Sequence, residues 1–142
     1  MSRRMSVSMT LDAVRNRTKT VTRRHVDTWK NLQPGDRLTL IEKGMGLPKG
    51  AKQVVVADVE VVDVRVEPIL AVTQSEICRE GFDHNGWGDL AWAAWWAKGH
   101  GHTVPTWERH QPYPEWQREA REALTDVECR RIEWRYLDGG ES

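Results

Sequence analysis

The sequence is poor in cysteine, has no long apolar run and carries no net charge. Cys78 and Cys129 are its only thiols, which excludes a disulfide framework and points to a reducing compartment. The longest uninterrupted apolar run, residues 90–97, is far shorter than the roughly 20 residues that cross a bilayer. Arg3 and Arg4 are not followed by the apolar segment of a signal peptide. We therefore expect a cytoplasmic protein without a membrane partner.

The zero net charge conceals an asymmetry along the chain of 142 residues, a length that suits one domain rather than two. Residues 1–52 contain 12 Lys and Arg against 4 Asp and Glu, whereas residues 53–142 contain 9 against 17. A basic first third is a candidate phosphate-facing surface. The alternative is that the two oppositely charged parts pair with each other across one fold.

Hydrophobic periodicity and turn residues predict the element order β-α-β-β-β-α-α-α-β, after a frayed start at residues 1–6. Strands are predicted at residues 7–9, 19–24, 37–42, 54–66 and 130–137, and helices at residues 10–17, 73–80, 89–98 and 114–124. Residues 43–52, rich in Gly and Lys, are predicted to form a loop. Five strands, one of them bent, fit a small mixed barrel with helices packed outside it.

The longest predicted strand changes phase at Val61-Val62. Val59 and Val61 share one parity, whereas Val62, Val64 and Val66 share the other. A flat strand would place the two sets on opposite faces, so the change indicates a bulge or a strong bend. A strand buried on both faces is the alternative.

The helix after this strand places a carboxylate at an unfavourable position. Thr73 to Glu76 form a capping box, and Gly81 is a typical residue for ending a helix. Glu80 therefore lies in the last turn, near the negative end of the helix dipole and one turn from Glu76. We expect a cationic side chain to compensate Glu80.

A basic cluster in the first third is the main candidate for a binding site. It contains Lys19, Thr20, Thr22, Arg23 and Arg24, whose side chains can bind phosphates through charge and hydrogen bonds. The neighbouring His25 is a further candidate contact, as are the loop lysines Lys43 and Lys49. A solvated edge strand whose charges deter aggregation is the alternative.

The chain contains eight tryptophans, five of them between residues 87 and 107. Trp92, Trp95 and Trp96 share one helical face, and for these residues and Trp134 we favour core filling. Trp29 and Trp87 lie in predicted loops and are the better candidates for stacking on bases.

Histidines could in principle suggest a metal site. His100 and His102 are two residues apart, with His84 and His110 nearby in sequence, but no further spacing typical of metal ligands supports them. A polar, flexible loop is the preferred interpretation, and we expect neither a metal ion nor another cofactor.

An ordered series of motifs resembles the ASCH domains of the PUA-like superfamily, in particular those of actinobacterial phages. The motifs are Thr18-Lys19-Thr20-Val21-Thr22-Arg23-Arg24, Leu32-x-Pro34-Gly35-Asp36-x-Leu38, Glu67-Pro68-Ile69, Glu80-Gly81-Phe82 and Ile132-Glu133-Trp134-Arg135-Tyr136. The resemblance implies an α+β fold, with a small bent mixed β-barrel of five to six strands and flanking helices. It also implies a single domain over residues 1–142, with a Trp-rich helical insert at about 83–124, and a cleft for RNA or a modified nucleotide. A phage protein would act in the host cytoplasm.

One branch of this family, the bacterial acetylcytidine amidohydrolases, uses a Lys, a Thr three residues later and a Glu in the following helix. By resemblance these residues are Lys19, Thr22 and Glu80. A lysine with a lowered pKa could activate the threonine hydroxyl, and the carboxylate could pass the proton to the leaving amine. On a regular strand Lys19 and Thr22 would point to opposite faces, so they converge only if Lys19 precedes the strand or the strand is twisted.

Three functional hypotheses follow. The first is a nucleic-acid-related binding module that recognises RNA, single-stranded nucleic acid or a modified nucleotide in a basic cleft. The second is a metal-independent amidohydrolase that acts on an acylated nucleoside such as acetylcytidine. The third is a phage protein that docks a host factor through its Trp-rich helix, for which an exposed apolar patch on that helix would be the sign.

Overall fold

The computed structural model describes residues 3–43, 47–82, 88–108 and 111–137. Its strands are β1 (Arg3–Ser6), β2 (Val21–His25), β3 (Arg37–Ile41), β4 (Val55–Pro68) and β5 (Glu128–Tyr136). Its α-helices are α1 (Leu11–Arg15), α2 (Gln74–Arg79), α3 (Asp89–Gly99) and α4 (Tyr113–Leu124), with 3-10 turns at Ser8–Thr10 and Ile69–Ala71. The predicted order of strands and α-helices is confirmed.

The start of the chain differs from the prediction. The strand predicted at residues 7–9 is wrong, because β1 lies earlier and pairs in parallel with β3, placing Met5 opposite Leu40. Met5 is the one buried residue of the four in β1, so the strand lacks the alternation of apolar and polar residues by which a strand is predicted. α1 ends before Arg17, whose φ of 65° is left-handed and incompatible with a continuing helix.

The five strands form one curled sheet in the order β1-β3-β4-β5-β2. All neighbours except β1 and β3 are antiparallel. The long strand β4 makes the sheet curl, because its first half pairs with β3 and its second half with β5. The result is a half-barrel with several helices packed against it, an α+β architecture.

The predicted bulge in β4 is confirmed. The pairing register between β4 and β5 shifts between Val61 and Asp63, which leaves Val62 as the additional residue. Val61 is buried, whereas 40% of Val62 is exposed. Beyond the bulge, the side chains of Asp63 and Glu67 reach buried arginines of β5 and β2. Before the bulge, the buried residues of β4 are apolar, whereas beyond it carboxylates of the strand pair with buried arginines.

Two apolar clusters flank the sheet. One joins the helices to β5 and includes Ile69, Ile77, Trp92, Trp96, Trp116, Leu124 and Cys129. The other includes Met5, Val14, Leu38, Val59, Ile132 and Trp134. Trp92, Trp96 and Trp134 are buried as predicted, whereas Trp95 is only partly buried. No helix in the described part of the chain is long and apolar enough to span a membrane.

The helix ends follow the sequence signals in part. Thr73 caps α2 as predicted, since its hydroxyl accepts a hydrogen bond from the Glu76 backbone N–H at 3.3 Å. Asp89 does not cap α3. Gly88 occupies the N-cap position, and Asp89 accepts a hydrogen bond from the Gln74 side chain at 2.6 Å.

Candidate functional site

A pocket of about 220 Å³ lies where the two edge strands of the curled sheet approach each other. One wall comes from Ser6 and the turn after β1, and the opposite wall from β2. The end of α2 and one face of α3 complete the pocket. Lys19, Thr22 and Glu80 all line it, so the three side chains singled out by resemblance share one cleft.

Lys19 precedes β2 by two residues, so the alternation of side chains along the strand does not force Lys19 and Thr22 apart. Its carbonyl oxygen accepts hydrogen bonds from Trp134 Nε1 at 3.0 Å and from the Tyr136 hydroxyl at 2.6 Å. Its buried Nζ donates to the Glu80 carbonyl oxygen at 2.5 Å and lies 3.4 Å from Glu80 Oε1. Burial lowers the pKa of the Lys19 amine, although the Glu80 charge opposes the shift.

Glu80 meets the cations that its helix-end position requires, which confirms the prediction. Its side chain is buried, with Oε1 near Lys19 and Oε2 3.1 Å from Arg23 Nη1. The Glu80 carbonyl, one of the groups left unpaired at a helix end, also accepts from Lys19. A carboxylate has about four lone-pair directions. Because Lys19 and Arg23 use two of them, the Glu80 carboxylate can still accept a hydrogen bond from a ligand.

The buried guanidinium of Arg23 is balanced within the protein. It contacts three carboxylates, Glu76 at 2.6 Å, Glu80 at 3.1 Å and Glu67 at 3.3 Å. The segment does form an edge strand, but the interpretation of it as solvated is wrong, because Lys19, Thr22 and Arg23 are all buried. Around Arg23, the basic first third of the chain therefore pairs with acidic residues of the remainder.

Glu76 connects several arginines behind the pocket. Besides Arg23, it accepts hydrogen bonds from Arg131 at 2.6 and 3.2 Å and from Arg79 at 3.2 Å. Burial alone would raise the pKa of Glu76, but hydrogen bonds from Arg131 and Arg23 lower it to about 2. The capping motif located Glu76 in the first turn of α2 but gave no sign of this network.

Arg24 differs from Arg23 although the two are adjacent. It lines the pocket, and its Nη2 donates to the Ser6 carbonyl at 2.8 Å. Its Nε lies 3.4 Å from the Thr22 hydroxyl oxygen. Burial lowers the pKa of Arg24, and only the Glu80 charge opposes this.

Aromatic side chains form the remaining wall. Phe82 meets Trp95 edge to face at 5.2 Å between ring centroids, and Trp96 Nε1 donates to the Arg23 carbonyl. The His100 ring stacks on Trp96 at 4.0 Å, with its Nδ1 2.7 Å from the Trp96 carbonyl oxygen. Burial lowers the pKa of His100, so its neutral form is favoured. With Nδ1 donating to the carbonyl, Nε2 is the acceptor of the neutral ring.

The other predicted site residues that the structure describes lie away from the pocket lining. Thr20 accepts a hydrogen bond from Arg79 Nε at 3.0 Å. His25 stacks against His102 at 6.4 Å, and the partly buried Trp29 has Arg3 over its ring at 4.6 Å. Lys43 and Lys49 are exposed in the connection between β3 and β4, and Trp87, His84 and His110 lie outside the described residues.

Sequence reasoning did not assign Phe82, Trp95, Trp96 or His100 to a ligand site. The tryptophan spacing was visible, but the same spacing is typical of a buried helix face, and no single-sequence signal separates the two. In the described ranges, no group of three or more His, Cys, Asp or Glu side chains could hold a metal ion.

The fold and this pocket define an α+β protein with a curled half-barrel and a partly enclosed site lined by charged and aromatic side chains. No family model matches the sequence, and no curated protein matches it. Among solved structures the chain is similar to protein EF3133 from Enterococcus faecalis V583, whose description names the DUF984 family model. The TM-score is 0.59 with 15% sequence identity, over 96% of this chain and 80% of that chain. At this identity the similarity concerns the fold alone.

Proposed function

We propose that the protein recognises a modified nucleotide by taking its base into the pocket between β1 and β2. The observation that carries this proposal is the combination of Lys19, Thr22 and Glu80 with aromatic side chains around one pocket. Its volume of about 220 Å³ lies below the roughly 300–1,000 Å³ typical of pockets for drug-sized ligands, which favours a single base or nucleoside.

The polar groups match the edge of a base. The Glu80 carboxylate can accept from an exocyclic amine, the contact that Asp and Glu make with cytosine N4. The Lys19 amine and the Thr22 hydroxyl can donate to a carbonyl oxygen, and Trp95 and Phe82 offer rings for stacking. Because three carboxylates balance Arg23, a specific base pocket is favoured over a basic groove that follows an RNA backbone.

We further propose that the chain is a PUA-like domain of the ASCH type. The support is that two separate motifs of the resemblance, residues 18–24 and 80–82, meet at this pocket. The origin in a phage stays a prediction from the sequence. The tryptophans of α3 give no support to docking of a host factor, since Trp92 and Trp96 are buried.

Tryptophan fluorescence titrations with cytidine, acetylcytidine, uridine and adenosine test the binding proposal. We expect saturable quenching by at least one nucleoside, weakened at least tenfold in Glu80→Gln. The matched control is Glu42→Gln, which removes a carboxylate paired with the exposed Arg15. Circular dichroism melts of both variants verify folding. No quenching by any nucleoside at millimolar concentration would contradict the proposal.

A second candidate function is hydrolysis of an acylated nucleoside, favoured by the buried Lys19 amine with its lowered pKa beside Thr22 and Glu80. Neutral Lys19 would take the Thr22 proton as Oγ1 bonds to the acyl carbon. The carbon–nitrogen bond would then break, and the proton would reach the leaving amine through Glu80. Water would hydrolyse the acyl-threonine and release the acid.

Release of cytidine from acetylcytidine, followed by chromatography, tests this candidate. We expect release by the wild type and at least hundredfold slower release by Lys19→Met and by Thr22→Val, as for loss of a general base or nucleophile. Release that persists in Lys19→Met would rule out the proposed base. Binding without release would leave the protein as a recognition module for this substrate.

A further inference from the structure

Arg24 is a pocket cation that forms no ion pair with any described residue, although the charge of Glu80 acts on it from a distance. Within the described residues, no carboxylate lies within the 4.0 Å that defines an ion pair with Arg24, although its neighbour Arg23 has three. Its partners are two neutral oxygens, the Ser6 carbonyl and the Thr22 hydroxyl. The contrast between the adjacent arginines shows that the local fold balances one charge and leaves the other facing the pocket.

Arg24 is partly buried, and a charge that has lost part of its hydration is costly unless an opposite charge approaches it. The guanidinium of Arg24 cannot lose its proton at physiological pH, so it cannot escape the cost by becoming neutral. Arginine donates through a planar fork of five N–H groups, which suits phosphate oxygens. Two of those groups point at Ser6 and Thr22, and the remaining donors are available to a ligand.

We propose that Arg24 binds a phosphate group of the ligand, so that the pocket binds a nucleotide more tightly than the free nucleoside. The hydroxyl residues Ser8 and Thr10 also line the pocket and can donate to the same oxygens. This inference rests on the proposed function and adds the anionic part of the ligand to it. It assigns phosphate binding to Arg24 alone of the adjacent pair.

The test compares cytidine with cytidine 5′-monophosphate, and uses inorganic phosphate as a separate probe at constant ionic strength. Arg24→Gln removes a positive charge from the pocket. The control Arg15→Gln removes the same charge from an exposed pair with Glu42. We expect the monophosphate to bind the wild type and Arg15→Gln at least tenfold more tightly than the nucleoside. Arg24→Gln should lose this preference.

Thermal melts separate binding from folding. Phosphate should raise the melting temperature of the wild type and Arg15→Gln but not of Arg24→Gln. Without phosphate, Arg24→Gln should melt at or above the wild-type temperature, because the variant removes an unbalanced charge. A phosphate shift that persists in Arg24→Gln would overturn the inference.

The outcomes distinguish this inference from the proposed function. Equal affinity of the wild type for cytidine and its monophosphate overturns the phosphate subsite and leaves the base pocket standing. A phosphate shift that depends on Arg24, with no binding of any nucleoside, supports the anion site and overturns the base pocket.

Discussion

Charged side chains in this protein differ in how they are balanced, and the partly buried Glu76 links three arginines. Its two carboxylate oxygens accept from Arg23, Arg79 and Arg131, which lie on β2, α2 and β5. A carboxyl group whose pKa is lowered on folding stabilises the fold above its ordinary pKa of 4.5. That stabilisation is lost as the pH falls from 4.5 towards about 2.

Glu76→Gln should therefore destabilise the protein at pH 7 by about 3–5 kcal/mol, the usual cost of breaking a buried pair. The physical reason is that Arg23 and Arg131 each lose a carboxylate partner. Urea denaturation at pH 7, 4 and 3 measures the difference from wild type, which should shrink below pH 4.5. Glu42→Gln, in an exposed pair, should cost less than about 1 kcal/mol at any of these pH values. A difference for Glu76→Gln that is independent of pH would contradict the role assigned to its charge.

At the scale of the element, the end of α2 is defined by both backbone and packing. Gly81 has φ +102°, and a Cβ placed there would lie 2.8 Å from Ala13 Cβ and 3.1 Å from Thr10 Cβ. The residue thus ends the helix and lets α1 approach, which positions Glu80 at the pocket. The sequence predicts the helix end but not the close approach, which depends on the neighbouring helix.

Gly81→Ala should lose about 1–2 kcal/mol from the left-handed backbone and about 1–3 kcal/mol more from overpacking. Gly50→Ala is the matched control, since its φ is +86° and no atom lies within 4 Å of the added Cβ. Chemical denaturation of the two variants isolates the packing contribution. Equal losses would show that α1 and α2 adjust without strain.

The three tryptophans of α3 all line the pocket, but their burial divides them between core packing and ligand contact. Trp92 is fully buried, so Trp92→Ala should lower the free energy of unfolding by about 3–5 kcal/mol. Helical spacing alone would predict the same loss for Trp95. Trp95 is only partly buried and lines the pocket, so Trp95→Ala should cost less and weaken nucleoside binding more. Denaturation and fluorescence titration of both variants test this division. A larger stability loss for Trp95→Ala would contradict it.

Local sequence patterns predict most strands and helices of this fold. They do not predict features that depend on residues distant in sequence. The alternation in β5, the capping box of α2 and the phase change at Val62 are signals within a few residues. β1 has no such signal, because its parallel pairing with β3 joins segments over 30 residues apart. Helix dipole arguments predict that Glu80 needs a cation, and Lys19 and Arg23 confirm it.

At the scale of the whole molecule, the pocket exists because the half-barrel does not close. β1 and β2 are the two edges of the sheet, and Arg24 on β2 reaches the Ser6 carbonyl of β1. α3 covers the same gap, with Trp96 donating to the Arg23 carbonyl. The different environments of Arg23 and Arg24 follow from carboxylates on β4 and α2. Single-sequence reasoning could not distinguish the two arginines, because those carboxylates are distant in sequence.

This geometry predicts where ligand binding slows hydrogen exchange. Cytidine 5′-monophosphate at one hundred times its dissociation constant should slow exchange about a hundredfold for amides that open with the pocket. We expect this protection at residues 5–10 and 92–100, which lie on its two sides. Lys43 and Lys49, exposed residues in the connection between β3 and β4, are the internal control, since neither of them lines the pocket. Protection confined to that connection would place the ligand on the basic loop instead, and the gap between β1 and β2 would then be a structural feature without a binding role.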